Sequence, residues 1–286
     1  MAGFPVIAGT MAKALVLARL TGATITAEMA AGARRNPSER ALSKTIVITG
    51  AGVGLGRTLA RSFAADGDTV VLLGRTASKV EAAAAEIGER AVAFGCDVAS
   101  PEQVRAAFGK IAERFGKIDV LINNAAFFEP STIAEASDDH ILKTINTNLC
   151  GAMFCSRAAI PLMERGGHII NVSSESIDVH FMHLIAYQAS KAGLERFSLN
   201  LHRELEPTGI RVTIVRAGQM MEEGKRWDVD PQAQMAFAKA NFEVGLDLRK
   251  RPISHFSSTV GVFRMLVDLP PDVHVVNVQL HARAPD

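Results

Sequence analysis

The only tyrosine of this 286-residue chain, Tyr187, stands four residues before Lys191 in "AYQASK". On a helix, positions four apart share a face. A free phenol, with a pKa of about 10, holds its proton at neutral pH and releases it reluctantly. An ammonium within a few ångströms favours the phenolate and eases that release. The pair reads as an acid with its electrostatic tuner, or as a half-buried aromatic beside a surface lysine. Taken alone, it does not separate the two.

A second constellation is "TGAGVGLG" at 49–56, with glycines at Gly50, Gly54 and Gly56 and Leu55 between the last two. Glycines in such a turn let backbone N–H groups approach a pyrophosphate at a helix N-terminus. The required context is present: "KTIVITG" (44–50) reads as a strand before the turn and "LGRTLARSFAADG" (55–67) as a helix after it. An NAD-binding strand of this kind usually ends in an acid that takes the ribose 2′-hydroxyl. Here the second strand ends in Gly74-Arg75. A guanidinium suits a 2′-phosphate, so NADP(H) is expected ahead of NAD(H).

These residues need a frame. From residue 44 onward, short apolar runs at 69–74, 91–98, 118–126, 167–173 and 210–216 alternate with helical patterns at 77–89, 101–116, 139–165 and 186–206. A helix near 257–268 and a strand near 273–280 follow. Strands apolar throughout, alternating with amphipathic helices, predict a single-domain α/β fold: a doubly wound, Rossmann-like parallel sheet covered by helices on both faces. Ligands are expected at the carboxyl ends of its strands. Residues 1–43 read as an N-terminal extension and 44–286 as the domain. The interval 218–256 breaks the rhythm and reads as a substrate lid.

Hydrophobic residues make up 48% of the chain and charged residues 21%, enough for a sizeable core. A formal net charge of +1 gives no electrostatic ground for nucleic acid or an anionic membrane as partner. No apolar run approaches the ~18 residues of a membrane span. Lys13 and Arg19 interrupt the N-terminal apolar stretch, against the pattern of a secretory signal. Cys96, Cys150 and Cys155 read as reduced core thiols, and the chain as cytoplasmic.

From about Leu42 to Ala282 the chain resembles the single-domain short-chain dehydrogenase/reductases. The pieces that carry the resemblance are "TGAGVGLG", "CDV" (96–98), "NNAA" (123–126), Asn148 in "NTNLCG", "INVSS" (170–174) and "YQASK", in order and on the expected elements. It implies that Asp97 and Val98 flank an adenine, that Asn124 and Ala125 line the cofactor cleft, and that Gly218 follows the sixth strand on the nicotinamide side. It also implies a catalytic set of Asn148, Ser174, Tyr187 and Lys191. Ser174 is preferred to Ser173 because the family's serine precedes its tyrosine by thirteen residues. On that reading Tyr187 exchanges the proton, Lys191 tunes it, Ser174 holds the substrate oxygen, and Asn148 holds a water against Lys191. Three features depart from the family: Ala126 for a glycine, Ala217 for a proline, and Glu222 near where a threonine is usual.

The activity implied is NADP(H)-dependent interconversion of a ketone and a secondary alcohol. The alternative is a silent NADP(H)-binding sensor of the same fold. No metal is expected: Asp178, His180 and His183 more simply line the substrate pocket. Phe127, Phe128, Phe181, Met182, Leu184, Ile185, Met220, Met221 and Trp227 suggest an apolar wall, and hence a hydrophobic small-molecule carbonyl or alcohol. The helix at 149–163 is apolar around more than one face, which suggests a homodimer or homotetramer.

Overall fold

The computed structural model describes residues 43–222 and 229–283, so the expected N-terminal extension and Trp227 lie outside the described residues. The first strand, β1 (Thr45–Thr49), enters the glycine turn and α1 (Gly54–Ala65). Then come β2 (Thr69–Gly74), α2 (Ala77–Ile87), β3 (Ala91–Gly95), α3 (Pro101–Phe115) and β4 (Val120–Asn123). The second half has α4 (Asp138–Ile145), α5 (Gly151–Ala159), β5 (His168–Ser174), α6 (Ile185–Leu205) and β6 (Arg211–Ala217). A short strand β7 (Met220–Met221), α7 (Pro231–Glu243), β8 (Ser254–His255), α8 (Phe256–Asp268) and β9 (Asn277–Gln279) complete it.

Seven strands form one parallel sheet in the order β3-β2-β1-β4-β5-β6-β9. The order reverses between β1 and β4, which opens a crevice at their carboxyl ends. Strand residues alternate between two cores. Ile46, Ile48, Val70 and Leu72 pack with Leu59, Phe63 and Phe263 on one face. Val47, Val71 and Leu73 pack with Phe108, Ile111, Cys155 and Leu201 on the other. Burial on both faces is why these strands read as unbroken apolar runs.

Helix boundaries follow local chemistry. Ser100 caps α3 by accepting from the Gln103 amide, with Pro101 at the first position, and Gly116 (φ 71°) ends it. Of the elements that are shorter than the sequence predicts, three have a visible reason. β4 stops at Asn123 because the amides of Asn124 and Ala125 both turn to Thr49 Oγ1, at 3.0 Å each. β9 covers only three residues because His274 is anchored by its ring, which bonds the Val212 carbonyl and lies 4.2 Å from His202. The helix expected over 139–165 is opened by a π-turn at Asn146–Cys150 and ends at Ala159. Cys96 and Cys155 are buried thiols as expected, whereas Cys150 is only half-buried.

The excursion expected over 218–256 has a closed neck: β7 and β8 pair in parallel, Met220 with Ser254 and Met221 with His255. Its helix, α7, is fastened by Asn241, which is fully buried. The Asn241 side chain accepts from the Met182 amide (3.0 Å) and donates to the carbonyls of Met182 (3.4 Å) and Phe237 (2.7 Å). Asn241→Leu strands Met182's polar groups and is expected to cost on the order of 1–3 kcal/mol. A lower urea midpoint together with faster amide exchange across 231–243 is the expected result; wild-type values for both contradict the fastening role.

Candidate active site

The segment "AYQASK" opens α6, which is anchored from inside. Lys191 is 2% exposed and its Nζ donates to the Val172 carbonyl at 2.8 Å. Farther along the helix, the buried Glu195 accepts two 2.7 Å hydrogen bonds from Arg216 on β6. These contacts dock α6 on β5 and β6, and Tyr187 stands one helical turn before Lys191. The ammonium lies 5.8 Å from the centre of the Tyr187 ring.

Electrostatics at the pair differ from the simple expectation. Burial raises the Tyr187 pKa, and a hydrogen bond with the Ser174 side chain opposes that rise. Burial also pulls Lys191 down to about 8, toward its neutral form. Both groups are therefore pressed toward neutrality, and Lys191, at about 8, still carries its proton at neutral pH.

Ser174 ends β5 and caps the next turn, accepting from the Ser176 amide at 3.2 Å. It faces the main cavity, whereas Ser173 is 2% exposed and turned into the protein. Asn148 is 1% exposed and sits in the π-turn. Its Oδ1 accepts from the Phe127 amide at 2.7 Å, and its Nδ2 donates to the Phe127 carbonyl and to Ser190 Oγ, each at 3.0 Å. Ser190 in turn donates to the Tyr187 carbonyl at 2.6 Å. Both amide hydrogens of Asn148 are thus used internally. This clamp accounts for an asparagine in mid-helix; π-turns of this kind are frequent at functional sites.

Two adjoining hollows occupy the carboxyl edge of the sheet. The larger, about 610 Å³, holds Ser174 and Tyr187 among Phe127, Phe128, Phe181, Leu184, Met220 and Phe237. Phe128 stands edge-on to both Tyr187 (5.1 Å) and Phe237 (6.4 Å). Phe237, from α7, is a wall residue that the sequence reading missed, as are Val229 and Leu248. Of the wall residues expected, Met182, in the loop before α6, and Ile185, at its first position, are instead 42% and 53% exposed. Asp178 pairs with Arg216 at 2.8 Å; of its loop, Phe181 and Leu184 line the cavity. Polar groups also reach the cavity: Glu129, Lys143, Gln219 and Glu175, the last paired with Arg251 at 2.8 Å.

The smaller hollow, about 190 Å³, is lined by Gly50, Arg75, Asp97, Val98 and Ala125, all expected, together with Thr76, Lys79 and Thr147, which were not. Arg75, Ala126 and Phe127 border both hollows. Gly54, Leu55 and Gly56 form the start of α1, where the Leu55 side chain packs into the core. Close approach dictates glycine here: a Cβ on Gly56 would lie 2.6 Å from the Gly50 carbonyl and 2.7 Å from the Asn124 amide. Asn124 lies beneath the turn and donates to the carbonyls of Thr49 (3.0 Å) and Gly50 (3.4 Å). No side chain caps α1 at Val53, which leaves its first N–H groups for an anion. Gly218 borders the larger hollow, with the Leu280 carbonyl pressed so close that a Cβ would lie 2.5 Å from it.

Residues 44–226 match the family described as short chain dehydrogenase. A D-xylose 1-dehydrogenase from Caulobacter vibrioides is 33% identical over 203 residues, which span 68% of this chain and 80% of that protein. A 3beta-hydroxysteroid dehydrogenase from Mediterraneibacter gnavus is 40% identical over 153 residues, 52% of this chain and 55% of that protein. Among solved structures, a short chain dehydrogenase from Burkholderia cenocepacia in complex with NADP is 28% identical, with a TM-score of 0.70, covering 84% of this chain and 96% of that one.

A single tyrosine makes the electrostatics directly measurable. In the free protein, phenolate absorbance, corrected for Trp227, is expected to rise with a midpoint above the ordinary value of about 10. Lys191, pulled down to about 8, has lost its proton before that point and supplies no charge to the phenolate. A midpoint below 10 contradicts the dominance of burial.

Proposed function

Since the chain belongs to the short-chain dehydrogenase family and is an oxidoreductase of that type, we propose that it interconverts a hydrophobic ketone and its secondary alcohol with NADP(H), with Tyr187 carrying the proton. The observation behind this reading is the placement of the Tyr187 and Ser174 hydroxyls, in mutual hydrogen-bonding reach, within an apolar cavity beside a glycine-built cleft. The cleft suits a dinucleotide: the glycine turn has no room for a Cβ and α1 presents uncapped N–H groups. Gly50, Gly54 and Gly56 would admit the diphosphate, Asp97 and Val98 the adenine, and Arg75 the 2′-phosphate. When bound, the cofactor supplies or accepts the hydride.

The protein's own part is the proton and the geometry. Ser174 donates a hydrogen bond to the substrate carbonyl oxygen and fixes its place. In reduction, Tyr187 transfers its phenolic proton to that oxygen; in oxidation, it takes the proton back. Burial keeps the phenol protonated until it is needed, as an acid in this role requires. Lys191, beneath the ring, is the buried cation that limits the cost of the transient phenolate. Asn148 positions the turn of α6 that carries Tyr187. Residues 218–256 act as the lid, with Phe237 closing the apolar wall. That wall, built from Phe127, Phe128, Phe181, Leu184, Met220 and Phe237, supports a hydrophobic substrate over a phosphorylated sugar. Self-association as a homodimer or homotetramer belongs to the same reading, and sedimentation checks it. Among the described residues, no helix is long and apolar enough to cross a membrane.

NADPH oxidation across a panel of aromatic and alicyclic ketones tests the activity, with turnover expected for the apolar members. Turnover confined to polyanionic substrates contradicts it. Arg75→Ala is expected to weaken NADPH by about tenfold or more while leaving NADH nearly unchanged. Equal losses for both remove Arg75 from the 2′-phosphate.

A further inference from the structure

Glu222 stands where the resemblance places a threonine, and the structure shows what it does instead. It follows β7 at the neck of the excursion, and its Oε1 lies 3.1 Å from Nη2 of Arg57, in the first turn of α1. The same neck delivers Phe256, whose ring would meet a Cβ on Gly54 at 3.6 Å. The lid is thus seated on the glycine turn from outside. Arg57 also lies 4.0 Å from Glu86, which Arg61 holds in turn. The start of α1 is the positive end of a helix dipole and carries no side-chain cap. Through Arg57, a carboxylate of the same sign of charge as a diphosphate is tied to the first turn of the helix that would take that diphosphate.

We infer that Glu222 opposes dinucleotide binding: its carboxylate, screened by Arg57, keeps the diphosphate end of the cleft at reduced affinity and favours release. The inference rests on the dinucleotide reading above. Exposure of the two side chains, 21% for Arg57 and 30% for Glu222, makes the effect modest and sensitive to salt. Arg57 has a double role. It neutralises Glu222 and is itself a cation near the bound anion, so its loss acts in the opposite direction to the loss of Glu222.

The test is calorimetric titration of the full chain with NADPH, NADH and adenosine 2′-monophosphate, which lacks the diphosphate. Glu222→Gln is expected to tighten both dinucleotides alike, by about three- to fivefold at low salt, with the gain shrinking at about 0.5 M NaCl. Adenosine 2′-monophosphate binding stays unchanged. Arg57→Gln weakens both dinucleotides, and the double variant recovers most of that loss. Glu222→Thr, checked by circular dichroism, repeats the measurement should the glutamine variant fold poorly. Weaker dinucleotide binding in a folded Glu222 variant makes the pair a clamp and overturns the inference. So does tightening of adenosine 2′-monophosphate, which would move the effect away from the diphosphate. Unchanged affinities in the variant, with the wild type binding NADPH, overturn the inference alone. A wild type that binds neither dinucleotide overturns the functional reading as well.

Discussion

A buried lysine amine holding one strand carbonyl is the contact on which the rest of the site depends. Lys191 leaves water almost completely and is compensated by the Val172 carbonyl at 2.8 Å. An amine in that position fixes the height of α6 against β5, because moving the helix would leave the group unpartnered at a cost of several kcal/mol. Once α6 is fixed, Tyr187 follows one turn earlier, and β5 delivers Ser174 from its own carboxyl end. The Tyr187 and Ser174 hydroxyls thus meet through the docking of one helix on one strand. Burial also raises the Tyr187 pKa, so the packing that places the phenol keeps it protonated.

The parallel sheet supplies the second constraint. Reversal of strand order between β1 and β4 brings the glycine turn against the end of β4, and Thr49 and Asn124 lock the two together with four hydrogen bonds of 3.0–3.4 Å. Phe127, just beyond that lock, is held by Asn148 from the π-turn. Phe127 borders both hollows, so the cleft and the cavity share a wall whose position neither sets alone. The 218–256 excursion adds Phe237 against Phe128 and is fastened by the Asn241 clamp.

Much of this was legible in the residues. Apolar runs broken by amphipathic ones gave the layers, since burial on both faces leaves no alternation to misread. The glycine turn was legible because close backbone approach admits no other residue. What stayed hidden depends on partners distant in sequence. Nothing in "NTNLC" announces a π-turn; it becomes visible once Asn148 is seen to grip Phe127, twenty-one residues earlier. Phe237 resembled any helical aromatic until α7 folded over Phe128. Met182 and Ile185 were misassigned to the wall because neither a loop nor the first position of a helix leaves a periodic trace of which side faces out. Spacing likewise reveals that a lysine is near the tyrosine, but not that burial acts on both groups.

The central claim is that the Tyr187 hydroxyl carries the proton. Single-turnover oxidation of pre-bound NADPH by a ketone that the wild type reduces, compared with Tyr187→Phe, addresses it most directly. The variant keeps the ring and loses only the hydroxyl. The account predicts a rate lower by about 10²–10⁴-fold, with NADPH affinity unchanged. A rate within a few-fold of the wild type would make Tyr187 one more aromatic in the cavity wall and contradict the mechanism.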